Sequence, residues 1–98
     1  MTNLDLDKTQ IAEFCRRWKV EELSLFGSVL RDDFRPDSDV DIMVVFASDA
    51  RIGLIGFCRM QAELSELVGR NVDLVTKSGL KPLIRDAVIQ QSELLYAA

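Results

Sequence analysis

Apolar residues recur at helical spacing through Ile11, Phe14, Cys15 and Trp18, which predicts an amphipathic helix from Asp7 to about Lys19 with Trp18 on its core-facing side. Asp7 and Gln10 read as a capping pair at its start. Beyond Glu21-Glu22, the run Leu23-Ser24-Leu25-Phe26 alternates like a strand and is stopped by Gly27. Between Val29 and Ser38, the residues Arg31, Asp32, Asp33, Arg35, Pro36 and Asp37 make a connection too charged to be buried, and Pro36 ends any helical turn there. A second strand follows at Ile42-Met43-Val44-Val45-Phe46, and Ala47-Ser48-Asp49-Ala50 makes a loop. From about Arg51 to Val68, the residues Leu54, Phe57, Cys58, Gln61, Leu64, Leu67 and Val68 mark a second helix, weakened near its start by Gly53 and Gly56 and stopped by Gly69. Asn71 to Thr76 predicts a third strand, and Pro82 suits the first turn of a last helix holding Leu83, Ile84, Ala87 and Val88. The terminal Glu93-Leu94-Leu95-Tyr96 reads equally as the end of that helix or as a short edge strand.

These elements imply an α+β fold: a small mixed β-sheet with helices packed on one face and the other face left open. With 98 residues and neither repeat nor linker, residues 1–98 are expected to form a single domain. Hydrophobic residues at 48% and charged residues at 29% are those of a soluble globular protein. The N-terminus has early acids and no apolar core, so it is not a signal peptide, and the apolar runs are well short of the ~20 residues of a membrane span. A cytoplasmic location is expected, with no membrane partner.

A net charge of −4 without a basic block removes the attraction that dominates nucleic-acid binding, so no direct nucleic-acid partner is expected. The absence of histidine excludes a Ser-His-Asp triad, an imidazole zinc ligand and a histidine general base. Cys15 and Cys58 lie far apart in helical patterns, unlike a zinc or redox motif, and read as buried thiols.

The remaining chemistry concentrates around Phe26-Gly27-Ser28 and Asp39-Val40-Asp41. In an extended strand Asp39 and Asp41 point to one face, a ready ligand pair for a hard cation such as Mg²⁺, which shares its oxygen ligands with substrate phosphates. Gly27 allows close backbone approach, and Ser28 adds a hydroxyl and an N–H to the same concavity. Asp73 interrupts the apolar third strand. Three carboxylates within about 5 Å of one another would repel pairwise by roughly 3 kcal/mol at an effective dielectric near 20, so such a cluster calls for a cation or a proton. The guanidinium of Arg31 suits a phosphate, although a solvated pairing with Asp32 or Asp33 would also account for it. The spacing of Asp37, Asp39 and Asp41 mimics the opening of a calcium-binding EF-hand loop. That reading fails because Ile42 and Ser48 stand where a glycine and a bidentate glutamate are needed.

Gly27-Ser28, ten intervening residues, Asp39-Val40-Asp41, and Asp73 on a later strand resemble the signature of the DNA polymerase β-like nucleotidyltransferase superfamily. Arg31, Asp37-Ser38 and the short chain resemble its smallest branch, the minimal nucleotidyltransferases, from about Leu23 to the end. The resemblance implies the polymerase β-like fold and a site in which Asp39 and Asp41 hold two Mg²⁺ ions. Gly27, Ser28, Arg31 and Ser38 would hold the nucleotide, and Asp73 would act as base or further metal ligand. It implies transfer of AMP from ATP to a protein hydroxyl, as an antitoxin modifying a tyrosine of a helical HEPN toxin, in a homo- or hetero-oligomer. A non-catalytic antitoxin acting by binding alone, and a nucleotidyltransferase for a small molecule, are the alternatives. Leu54, Ile55 and Leu94-Leu95-Tyr96 are candidates for the partner surface, although core packing is the commoner fate of such residues.

Overall fold

The computed structural model describes residues 6–27 and 39–98. The elements run α1 (Lys8–Arg17), β1 (Val20–Phe26), β2 (Val40–Phe46), α2 (Leu54–Val68), β3 (Val72–Thr76), a 3₁₀ turn at Lys77–Gly79, α3 (Pro82–Gln91) and β4 (Glu93–Ala97). The sheet is mixed, with strand order β3-β2-β1-β4. β1 pairs antiparallel with both β2 and β4, while β2 and β3 run parallel, joined through α2. This is the expected α+β architecture, and the terminal segment takes its strand alternative at the sheet edge beside β1.

The core lies between one sheet face and the first two helices. Ile11, Phe14 and Cys15 of α1 and Met60 and Leu64 of α2 close over Leu23, Leu25, Val40, Ile42, Val44, Val72 and Leu74. The pairs Leu23↔Val44 and Leu25↔Ile42 put these apolar side chains on a shared face, and the opposite parity carries the carboxylates. That second face is not open throughout. Met43 and Ser24, which pair across it, are each 5% exposed, whereas Asp39 and Asp73 at one end are exposed.

Asp7 caps α1 as its spacing predicts, its Oδ1 accepting from the backbone N–H of Thr9 at 2.9 Å and of Gln10 at 3.3 Å. The helix stops at Arg17 rather than Lys19, and β1 begins three residues earlier than its alternation suggests. The reason is Lys19, whose φ of 56° turns the chain out of the helix at a residue carrying no glycine signal. α2 starts at Leu54 because Gly53 is its N-cap residue, and Gly69, left-handed at φ 78°, ends it by donating to the Ser65 carbonyl.

Trp18 packs against the core as expected, and its indole N–H also donates to Glu63 Oε1 at 3.2 Å. The Arg17 guanidinium engages both oxygens of the same carboxylate, joining α1 to α2. Hydrogen bonding from Arg17, with a lesser one from Trp18, holds the Glu63 carboxyl below its ordinary value of 4.5 against some desolvation. A depressed carboxyl pKa stabilises the fold above the unfolded value, and that contribution is lost as pH falls through the folded one. Thermal melts from pH 6 downward are therefore expected to show wild type converging on Glu63→Gln below about pH 4.5, the variant melting a few degrees lower at neutral pH.

The cysteines part company. Cys15 is fully buried, and desolvation pushes its thiol up to about 12 although Arg16 opposes the shift. Cys58, expected to be buried, is exposed on α2. A thiol reagent at neutral pH is expected to modify one cysteine, Cys58, in the native protein and to reach Cys15 only at the rate of unfolding; peptide mass mapping reads the difference.

Candidate nucleotidyl-transfer site

Where β1 ends and β2 begins, pairing brings Phe26 opposite Asp41. On the other side of β2, the parallel register sets Asp41 beside Asp73. Parallel strands lie about 4.8 Å apart, so these two carboxylates leave the same face as immediate neighbours, one on each strand. Asp39 lies one residue before β2 and is exposed, as is Asp73, while Asp41 is half-buried. Asp39, Asp41 and Asp73 therefore stand at one end of two adjoining strands, with Asp41 and Asp73 close enough for their charges to matter to one another.

Gly27 sits against this group. Its φ is +78°, a left-handed conformation that glycine adopts without strain. A Cβ built on it would overlap Asp41 Oδ2 and come within 3.2 Å of the Asp41 carboxyl carbon. The space beside Gly27 is thus the space that the Asp41 carboxylate fills, and a side chain at position 27 would displace it.

β3 is an edge strand, and the outer N–H groups on either side of Asp73 would lack partners if α2 did not supply them. Val72 N–H donates to Ser65 Oγ at 3.1 Å, and Leu74 N–H donates to Gln61 Oε1 at 3.0 Å. Ser65 Oγ in turn donates to the Gln61 carbonyl at 2.9 Å. Gln61 and Ser65 therefore pin the backbone that carries Asp73. In the sequence Gln61 marks a helix face and Ser65 has no assigned role; two polar residues at i and i+4 on an otherwise apolar helix face are the signal of this contact.

Ser28, Arg31 and Ser38, expected to contact the nucleotide, lie outside the described residues. Among the described residues no three acidic or cysteine side chains converge as a ready-made metal cage. The donor set still fits Mg²⁺, because that ion takes one or two protein carboxylates and completes its shell with water and substrate phosphate. A cavity of about 420 Å³ lies at the opposite end of the same strands, lined by Val44, Val45, Phe46, Thr76, Lys77, Ser78 and Arg85. No helix among the described residues is long and apolar enough to cross a membrane.

The nucleotidyltransferase domain family matches residues 8–95. The chain is 39% identical over 79 residues to the protein adenylyltransferase MntA of Thermococcus cleftensis, covering 81% of this chain and 78% of that one. Its fold is similar to that in a crystal structure of a toxin-antitoxin with AMP-PNP, at TM-score 0.75 and 24% identity, covering 95% of this chain and 75% of that one. It is also similar to a structure of a tri-AMPylated Shewanella oneidensis HEPN toxin in complex with an MNT antitoxin, at TM-score 0.66 and 22% identity, covering 93% of this chain and 70% of that one. With the Gly27–Asp41 contact and the Asp41–Asp73 register in place, the chain belongs to the nucleotidyltransferase domain family and is an enzyme of the minimal, MntA-like branch.

Proposed function

We propose that this protein transfers AMP from ATP to a hydroxyl of a partner protein, a tyrosine of a HEPN-type toxin, and so acts as its antitoxin. The observation that carries the reading is the in-register pair Asp41 and Asp73, with Gly27 packed against Asp41. In the transfer, the acceptor oxygen bonds to the α-phosphorus, the bond from that phosphorus to the β-phosphate bridge oxygen breaks, and pyrophosphate leaves.

Asp39 and Asp41, with Asp73 as a further ligand or as the base, would hold two Mg²⁺ ions, which supply charge neutralisation for attacking and leaving oxygens when bound. In the base role, Asp73 would take the proton of the attacking hydroxyl. Gly27, Ser28, Arg31 and Ser38 would receive the polyphosphate, the first by offering backbone with no side chain in the way.

A protein acceptor is supported by the surface. Leu54 is 80% exposed, Ile55 75%, Leu83 96% and Leu94 55%, apolar area that a separate chain could cover. Leu54, Ile55 and Leu94 were candidates for that surface; Leu83 and Ile84 of α3 join them, since no residue of α3 is buried. Leu95 and Tyr96 instead pack against the core. The proposed setting is the cytoplasm.

The test is to co-express the chain with the protein encoded beside it, incubate with ATP and Mg²⁺, and weigh the partner intact. One or more added AMP units, absent when EDTA replaces Mg²⁺, is the expected result. An unmodified partner held in a stable, inhibited complex would instead make this an antitoxin that acts by binding alone.

A further inference from the structure

The cavity at the carboxyl ends of β2 and β3 has no part in the proposed transfer. It runs from Val44 to Phe46, about 10 to 16 Å along β2 from Asp41 at roughly 3.3 Å per residue. Its volume of about 420 Å³ falls in the range of small-molecule sites.

The wall is divided. Val44, Val45 and Phe46 make an apolar side, while Thr76, Lys77, Ser78 and Arg85 supply hydroxyls and cations. Among the described residues no acidic side chain lines it, although acids outnumber bases 16 to 12 in the chain. Among the described residues neither Lys77 nor Arg85 has a carboxylate partner.

The cationic side is also held in shape. Thr76 Oγ1 accepts from Gly79 N–H at 3.0 Å and Leu80 N–H donates to the Lys77 carbonyl at 3.3 Å, fixing the 3₁₀ turn that carries Lys77 and Ser78. Arg85 of α3 donates through Nη2 to the Leu80 carbonyl at 3.1 Å, tying the helix to the same turn. Its Nε is buried and, among the described residues, has no hydrogen-bond partner. The guanidinium lines the cavity with no carboxylate partner among the described residues, and an anionic oxygen there would meet its charge.

We propose that this cavity is a second binding site, for a small phosphate monoester whose apolar body lies on Val45 and Phe46 and whose phosphate meets Lys77, Ser78 and Arg85. A phosphate suits two cations that have no carboxylate partner among the described residues, together with a hydroxyl, and the apolar wall selects an ester over the free ion. The site is independent of the carboxylates at the other end of the sheet.

Amide NMR titrations with inorganic phosphate and with phenyl phosphate test it. The expected result is saturable shifts at Val45, Phe46 and residues 76–80, with phenyl phosphate about tenfold tighter than inorganic phosphate. Arg85→Gln should weaken phenyl phosphate about tenfold or more, and Ser78→Glu, at an exposed position that leaves the fold undisturbed, should abolish its binding by placing a carboxylate at the mouth. Asp39→Asn Asp41→Asn should leave it unchanged, so failure here is separate from failure of the transfer reaction. Shifts confined to Gly27, Asp41 and Asp73, shifts that do not saturate, or binding indifferent to Ser78→Glu would each overturn the proposal.

Discussion

Replacing Asp39 and Asp41 together by asparagine is expected to reduce the rate of AMP transfer to the partner by about a thousandfold, equivalent to about 4 kcal/mol of transition-state stabilisation. Asparagine keeps the size and one oxygen of each side chain and removes both negative charges, which are what a hard divalent cation selects. The fold should survive. Asp39 is exposed and Asp41 half-buried, neither belongs to the apolar core, and removing charge beside Asp73 relieves repulsion. The expected pattern is therefore a melting temperature close to that of wild type, with the partner's intact mass unchanged over a time in which wild type completes its modification. Retained transfer by this variant would remove the carboxylate pair from the mechanism. A variant that neither modifies nor inhibits, yet still binds, would show that protection comes from the chemistry and not from coverage.

The parts of this arrangement legible in the sequence are those encoded by local pattern. Asp39 and Asp41 share a face because a strand has period two, and Gly27 closes an apolar run, so both could be placed without knowing the fold. Their relation to Asp73 was conditional on which strands are neighbours, and only the parallel β2–β3 register decides it. The early end of α1 was hidden because Lys19 takes a left-handed conformation that usually announces itself with glycine. Helical spacing puts Cys58 inward, but spacing identifies a stripe and not what covers it, and Cys58 is exposed. The Gln61 and Ser65 contacts to β3 were invisible for a different reason: they satisfy the edge of a strand whose edge status is a property of the sheet.

Gly27→Ala is expected to lower the transfer rate about a hundredfold while leaving every carboxylate in the chain. Two costs coincide at this position. An L-residue held at φ +78° loses about 1 kcal/mol relative to glycine. The added methyl also competes with the Asp41 carboxylate for one volume, and because backbone at residue 27 is paired through Phe26 to Asp41 itself, the side chain is the part that gives way. A displacement of about 1 Å in a group that orients a reacting phosphate is enough for a loss of that size. A double-mutant cycle with Asp41→Ala separates the two costs. If the methyl acts by displacing the carboxylate, then Gly27→Ala adds no further loss of activity in the Asp41→Ala background, and its stability cost there falls to the conformational part alone. Equal stability costs in both backgrounds, measured by urea unfolding, would mean that glycine is required at residue 27 for its backbone conformation and not for the room it leaves to Asp41.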